Sequence, residues 1–216
     1  MGFGFYAVYD YKNRMILWII RKHIDFRLLI DSESDCMKRK WSSAELVMKR
    51  ILVIGCSGSG KSTLSRELSR RLNLPLIHLD NLFWKPGWVA REKADFKRLL
   101  KVELKKDSWI IDGNFARTMA LRVHYADTVI FLDFNRWICF WRVTKRWLLH
   151  GGEMQAVGCP QKVDFPFLQY IWKYRKKERL EVLNIMGKNN GDLQWITLTN
   201  PSEVKQWLRN GLQTRR

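Results

Sequence analysis

Nine consecutive residues, Gly55-Cys56-Ser57-Gly58-Ser59-Gly60-Lys61-Ser62-Thr63, carry the most specific chemistry in this chain. They fit the phosphate-loop pattern G-x-x-x-x-G-K-[ST] at every position. Glycines there let successive backbone N–H groups turn inward around a phosphate, which a Cβ would obstruct. The apolar run Ile51-Leu52-Val53-Ile54 just before the loop reads as a buried strand, and Leu64 to Leu72 just after it reads as a helix. A helix N-terminus adds free N–H groups and partial positive charge. Lys61 is expected to reach the β- and γ-phosphates of ATP, and the Ser62 hydroxyl to ligate Mg²⁺.

Further candidates follow the other apolar runs. His78-Leu79-Asp80 puts a carboxylate where it accepts a proton from a substrate hydroxyl, holds Mg²⁺ through water, or simply caps a helix or closes a turn. His78 reads as a half-buried strand residue. Trp84 and Trp88 flank Lys85-Pro86-Gly87 and either stack on a planar acceptor or pack on each other. In Ile110-Ile111-Asp112-Gly113-Asn114-Phe115-Ala116-Arg117, the aspartate ends a strand and is expected to orient Mg²⁺. Gly113 is expected to let the backbone pass close to phosphates. Arg117 is a candidate clamp for an acceptor's phosphate or carboxylate. Asp133, ending Val129 to Leu132, is a rival for the metal. Arg142 and Arg146 share a helix face at i, i+4, and Arg175 and Arg179 repeat that spacing. Both pairs are candidates for neutralising charge on a transferring phosphoryl group. Thr199-Asn200-Pro201-Ser202 either frames an adenine or caps a helix.

These residues need a scaffold, and the periodicity supplies one. Strands are predicted at 50–55, 75–79, 108–112, 127–133 and 194–198. Helices are predicted at 61–73, 91–106, 136–149, 162–187 and 201–211. Strands alternating with helices imply a parallel sheet covered on both faces, a three-layer α/β sandwich. Ligands in such sheets sit at the carboxyl ends of the strands, where every candidate above lies. Residues 1–47 differ in texture, with a polar run Asp31-Ser32-Glu33-Ser34-Asp35. They read as an N-terminal extension preceding a functional start at Met48, or alternatively as an accessory segment that packs on the domain or on a membrane surface. Residues 48–216 read as the domain, with a lid around 147–165.

With 216 residues, the chain can bury one sizeable core. Its net charge of +18 suits polyanions such as nucleotides, nucleic acid or an anionic membrane, and nucleotides are enough to account for it. Nucleic acid is the sharper reading, although Lys and Arg are spread along the chain and no nucleic-acid module is recognisable. Cys36, Cys56, Cys139 and Cys159 form no CxxC pair, which argues against a disulfide framework or a zinc site and for a reducing cytoplasm. No run approaches the ~18 apolar residues of a membrane span, and no membrane partner is expected.

In order, the phosphate loop, His78-Leu79-Asp80, Ile110-Ile111-Asp112-Gly113-Asn114, Leu132-Asp133-Phe134 with its Arg-rich helix, Gly158-Cys159-Pro160 and Tyr170-Ile171-Trp172 resemble one known group. It is that of the adenylate-kinase-related P-loop proteins labelled DNA topology modulation proteins, over about residues 48–188. The resemblance implies a P-loop NTPase fold with a five-stranded parallel sheet of nucleoside-monophosphate-kinase type. It also implies Asp112 as metal support, Arg117 as a contact to substrate phosphate, and Arg142 and Arg146 as the Arg-x-x-x-Arg pair at the start of the lid. Asn114 and Ala116 depart from the Phe and Pro of adenylate kinases, so AMP specificity does not carry over. Gly151 to Gln155 lacks the family's arginine-proline pair. The expectation is therefore an ATP-dependent phosphotransferase acting on a nucleotide or other small acceptor. Its ATP site comprises Gly55, Cys56, Ser57, Gly58, Ser59, Gly60, Lys61, Ser62 and Thr63. Ser62 and Asp112 face Mg²⁺, and Lys61, Asp80, Asp112, Arg117, Arg142 and Arg146 carry the chemistry. The alternative is a nucleotide-dependent regulator that binds nucleic acid.

Overall fold

A computed structural model describes residues 8–9, 15–16, 48–150, 154–156, 158–160, 163–188 and 193–210. The chain separates into two compact units, Met1–Leu46 and Val47–Arg216. In the first, the described residues form a two-residue antiparallel pairing, Val8–Tyr9 with Met15–Ile16.

The second unit is an α/β sandwich. Its strands are β1 (Arg50–Gly55), β2 (Leu76–His78), β3 (Trp109–Asp112), β4 (Thr128–Leu132) and β5 (Gln194–Leu198). They form one sheet in the order β5-β4-β1-β3-β2, all parallel. Ile51 to Ile54, Trp109 to Ile111 and Val129 to Phe131 are fully buried, as strands covered on both faces must be. The helices are α1 (Lys61–Leu72), α2 (Lys93–Leu104), α3 (Met119–Tyr125), α4 (Arg136–His150), α5 (Phe165–Lys173), α6 (Glu178–Gly187) and α7 (Pro201–Asn210). α2 buries Phe96, Leu100 and Leu104 at i, i+4, i+8, a stripe that packs with Trp109 and Phe131 in the main core. Asp127 pins the entry to β1 by accepting from the Lys49 and Arg50 amides at 3.0 and 2.7 Å.

Three differences from the periodicity are physical. The single helix predicted over 162–187 is interrupted. Asp164 caps α5 by accepting from the Phe167 amide at 3.0 Å, a 3₁₀ turn follows over Tyr174–Lys176, and Lys177 leaves the helical region at φ −124°, ψ −76° before α6 begins. α3 was not predicted. Residues Leu79–Phe83 also form a short helix rather than extending β2, followed by a small antiparallel pairing of Trp84–Lys85 with Val89–Ala90. Of the predicted lid, the described parts are the end of α4, the pairing of Met154–Ala156 with Cys159–Pro160, Gly158 between them, and residues 163–165 leading into α5; residues 151–153, 157 and 161–162 lie outside the description. Gly87 N–H donates to the Gly158 carbonyl at 2.9 Å, so this hairpin rests on the 84–90 segment.

Candidate active site

The phosphate loop runs from the end of β1 into α1. At Gly58 the backbone has φ +83°, and a Cβ would collide with the Cys139 carbonyl oxygen of α4. Both the turn and the close approach therefore require glycine. Lys61 folds back over the loop and donates to the Cys56 carbonyl at 2.9 Å. Arg142 donates to the Ser59 carbonyl at 3.3 Å, which brings one predicted lid arginine to the loop rim. Arg146 lies one turn further along α4. Ser62 and Thr63 are exposed in the first turn of α1. Cys56 is buried, and its thiol is pushed well up by its hydrogen bond with Cys139 and by burial, which keeps it protonated.

Strand register assembles the next part. His78, the last residue of β2, pairs with Asp112, the last residue of β3, and Asp112 pairs with Val53 of β1. The His78 Nδ1 and Asp112 Oδ1 atoms are hydrogen-bonded at 2.7 Å. That bond raises the His78 pKa, against the opposing effect of burial. Asp112 Oδ2 is buried and has no protein partner. Asp80, half-buried in the first turn of the short helix, has its carboxyl held above the ordinary range chiefly by burial; Lys61 opposes the shift and Asp112 adds to it. Lys61, His78, Asp80 and Asp112 thus share one electrostatic neighbourhood at the carboxyl ends of β1, β2 and β3.

The segment after β3 is held from inside. Gly113 adopts φ +132°, and a Cβ there would meet the Leu79 side chain at 2.8 Å; the close approach is to that side chain, where the sequence suggested phosphates. Arg122 of α3 is fully buried and unforeseen. It donates to the carbonyls of Gly113 (2.9 Å), Asn114 (2.6 Å) and Phe115 (3.0 Å) and to the Thr118 hydroxyl (3.2 Å). Burial draws its pKa down to about 9, so it stays charged at neutral pH. Asn114 is in turn flanked by tyrosines, donating to the Tyr170 hydroxyl at 3.3 Å and accepting from Tyr174 at 3.4 Å. Arg117 stands exposed on the 3₁₀ turn Ala116–Thr118, beside this framework rather than within it.

Other candidates resolve differently. Asp133 is gripped by Arg179, whose Nε lies 2.8 Å from Oδ1 and whose Nη2 lies 2.8 Å from Oδ2. That fork occupies the rival metal carboxylate and removes Arg179 from the set of free cations. The break at Lys177 also denies Arg175 and Arg179 a common helix face. Trp84 and Trp88 pack edge to face with centroids 5.4 Å apart, and Phe83 packs on Trp84 at 4.7 Å. Asn200 caps α7, accepting from the Glu203 amide at 3.0 Å. No sequence signal marked Arg122 or the Arg179–Asp133 pair. The His78–Asp112 bond follows once β2 and β3 are set in register.

The residues present fit Mg·ATP. Besides Asp112 Oδ2, the loop hydroxyl Ser59 Oγ is buried without a partner. Among the described residues, no cluster of three or more His, Cys, Asp or Glu is arranged to hold a metal. One carboxylate and one hydroxyl suit Mg²⁺, which keeps several waters and takes its remaining oxygens from phosphates.

Comparison with known proteins agrees with this architecture. A family model described as an AAA domain matches residues 51–145. The uncharacterized protein YqaC of Bacillus subtilis (strain 168) is 30% identical over 129 residues, 58% of this chain and 72% of that protein. Among solved structures, the shikimate kinase from Acinetobacter baumannii in complex with shikimate superposes with TM-score 0.53 at 14% identity, covering 78% of this chain and 93% of that one. The shikimate kinase from Bacteroides thetaiotaomicron gives TM-score 0.47 at 18% identity over 78% and 98% of the two chains. The chain belongs to the family of the Bacillus protein, and its fold is that of the P-loop NTPases.

Proposed function

We propose that this protein is an ATP-dependent phosphotransferase that moves the γ-phosphoryl group of Mg·ATP to a small acceptor, a nucleotide or a hydroxyl-bearing metabolite. The observation that carries this reading is the meeting of Lys61, His78, Asp80 and Asp112 where three parallel strands end beside the phosphate loop. When bound, Mg·ATP supplies the electrophilic phosphorus and the divalent charge. Lys61 sits on the rim from which an ammonium can follow the charge of the transferring group. Asp112, oriented through Oδ1 by His78, leaves Oδ2 for the metal's water shell, with Ser62 as the second metal contact. Asp80 faces the acceptor and takes the proton of its hydroxyl; a carboxyl already raised by burial is a better base than an ordinary aspartate. Arg142 and Arg146 on α4, and Arg117 on the acceptor side, supply neutralising charge. Catalysis is then mainly positioning and electrostatics. The hairpin resting on 84–90 is the natural cover for the acceptor. The finer kinship with the proteins labelled DNA topology modulation rests on the shared order of motifs and is part of this proposal, as is a cytoplasmic location.

The test is phosphoryl transfer followed by ³¹P NMR, with Mg·ATP and a panel of nucleoside monophosphates, nucleosides and hydroxylated metabolites. Transfer to one acceptor, lost by roughly 10³-fold or more in Lys61→Ala while the fold is retained, is the expected result. Undiminished transfer in Lys61→Ala, or ATP binding with no transfer to any acceptor, counts against the assignment.

A further inference from the structure

The back of α4 carries a surface unrelated to the chemistry on its front. Segments 136–150 and 165–177 contain no Asp or Glu, eight Lys or Arg, and four of the chain's eleven tryptophans. On the front of α4, Cys139 and Val143 are buried, and Arg142 reaches the phosphate loop. On the back, Trp137, Trp141 and Leu148 stand at i, i+4 and i+11, one face of the helix, with exposures of 58%, 66% and 68%. Trp147 and Leu149 widen this face, and Leu149 is 65% exposed. Trp172 of α5 continues it, packing edge to face on Trp137 with centroids 5.0 Å apart. The Arg136 guanidinium lies 4.3 Å over the Trp172 ring; Lys145 and Lys173 are exposed on the same two helices, and Arg175 and Lys176 on the 3₁₀ turn that follows α5.

Soluble proteins seldom leave so many large apolar side chains uncovered on adjacent helices. We propose that this face docks on an anionic phospholipid bilayer, with the tryptophans and Leu148–Leu149 at the headgroup–acyl boundary and the lysines and arginines against the lipid phosphates. Three observations choose this occupant. Tryptophan interleaved with cations, without acids, is the composition of interfacial helices. Leu148 and Leu149 have no π-face on which a nucleic-acid base could stack, so they are wasted on a single strand. A second copy would bring the same +18 charge against the same cations. Among the described residues no helix is long and apolar enough to cross a membrane. This revises the expectation of no membrane partner, which followed from the lack of an apolar span. Because α4 also holds the loop through Cys139 and Arg142, a docked protein turns its phosphate site away from the bilayer.

The experiment is co-sedimentation of the full chain with sucrose-loaded vesicles, either phosphatidylcholine alone or mixed with phosphatidylglycerol, at low and high salt. The expected result is binding to the anionic vesicles only, weakened by salt, and roughly tenfold or more weaker for Trp141→Ser/Leu148→Ser. Circular dichroism and ATP binding check that this variant is folded. Leu148→Glu/Leu149→Glu tests the same face with the tryptophans intact and is expected to lose binding as well. Absence of binding, equal binding to neutral vesicles, or variants that bind like the wild type would overturn the proposal. So would single-stranded DNA affinity, or concentration-dependent dimerisation, that the variants abolish while vesicles are ignored.

Discussion

Arg122→Lys is the sharpest probe of how the segment beyond β3 is built. The guanidinium is fully buried and divides its donors among four acceptors on Gly113, Asn114, Phe115 and Thr118. A lysine keeps the charge, but its compact head cannot span carbonyls fanned over three successive residues. At least two carbonyls then lose their partner, at ~1–3 kcal/mol each, for a total of about 3 kcal/mol. For a chain of this size that corresponds to a fall in Tm of about 6–12 °C. Thermal and urea unfolding followed by circular dichroism measure it. Arg117→Lys, on the exposed turn of the same segment, serves as the control and is expected to stay within ~0.5 kcal/mol of wild type. Because Gly113 follows Asp112 directly, Arg122→Lys is also expected to weaken Mn²⁺ binding in the presence of ATP, read by electron paramagnetic resonance, whereas Arg117→Lys leaves it unchanged. A stability loss below ~1 kcal/mol, with the metal affinity intact, would refute the reasoning, since it would mean that the loop holds its shape without the guanidinium.

Three further outcomes test the site. The Asp80 carboxyl is raised by burial, so folding favours its neutral form and its ionisation costs stability as pH rises through the raised value. Asp80→Asn should therefore melt higher than wild type at neutral pH while losing transfer; a lower Tm would contradict the burial argument. The His78 pKa is raised by Asp112, so the pair's stabilisation is complete below the unfolded value of 6.5 and disappears as pH rises through the folded one. His78→Gln should thus cost more in urea unfolding at about pH 5.5 than at about pH 8.5, and a gap independent of pH would count against a charged pair. Arg179→Met leaves Asp133 half-buried without its fork and should cost about 2 kcal/mol, less than a fully buried pair because water still reaches the site. Asp133→Asn/Arg179→Met should recover part of that loss, which a double-mutant cycle reads directly.

The sheet was legible because parallel strands covered on both faces must be apolar throughout. Ile51 to Ile54, Trp109 to Ile111 and Val129 to Leu132 announce themselves, and the observed strands lie within the predicted ranges, shorter by at most a residue at either end. α3 was not legible: it is only seven residues long, Arg122 and His124 interrupt its apolar residues, and the face it buries includes the arginine itself. Arginine is rarely fully buried, so composition steers any reader away from it. The break at Lys177 was hidden because no Gly or Pro marks it in Tyr174 to Arg179.

The carboxylates show most clearly what a one-dimensional pattern leaves open. Asp112 and Asp133 both end apolar strands, and on the pattern alone each is a metal ligand. Register and packing separate them. Asp112 is paired across the sheet with a single histidine, which takes one oxygen and leaves the other buried and unbonded. Asp133 lies past the end of β4, where α6 delivers an arginine from 46 positions away that takes both oxygens. A carboxylate with both oxygens committed to a guanidinium fork cannot also hold a hydrated cation without breaking that fork. We therefore propose Asp112 for the metal role, and the discriminating experiment is simple. Asp133→Asn should leave Mn²⁺ affinity in the presence of ATP unchanged, and Asp112→Asn should remove it. If Asp133→Asn removes it instead, the fork opens when nucleotide binds, and the assignment of the two carboxylates is reversed.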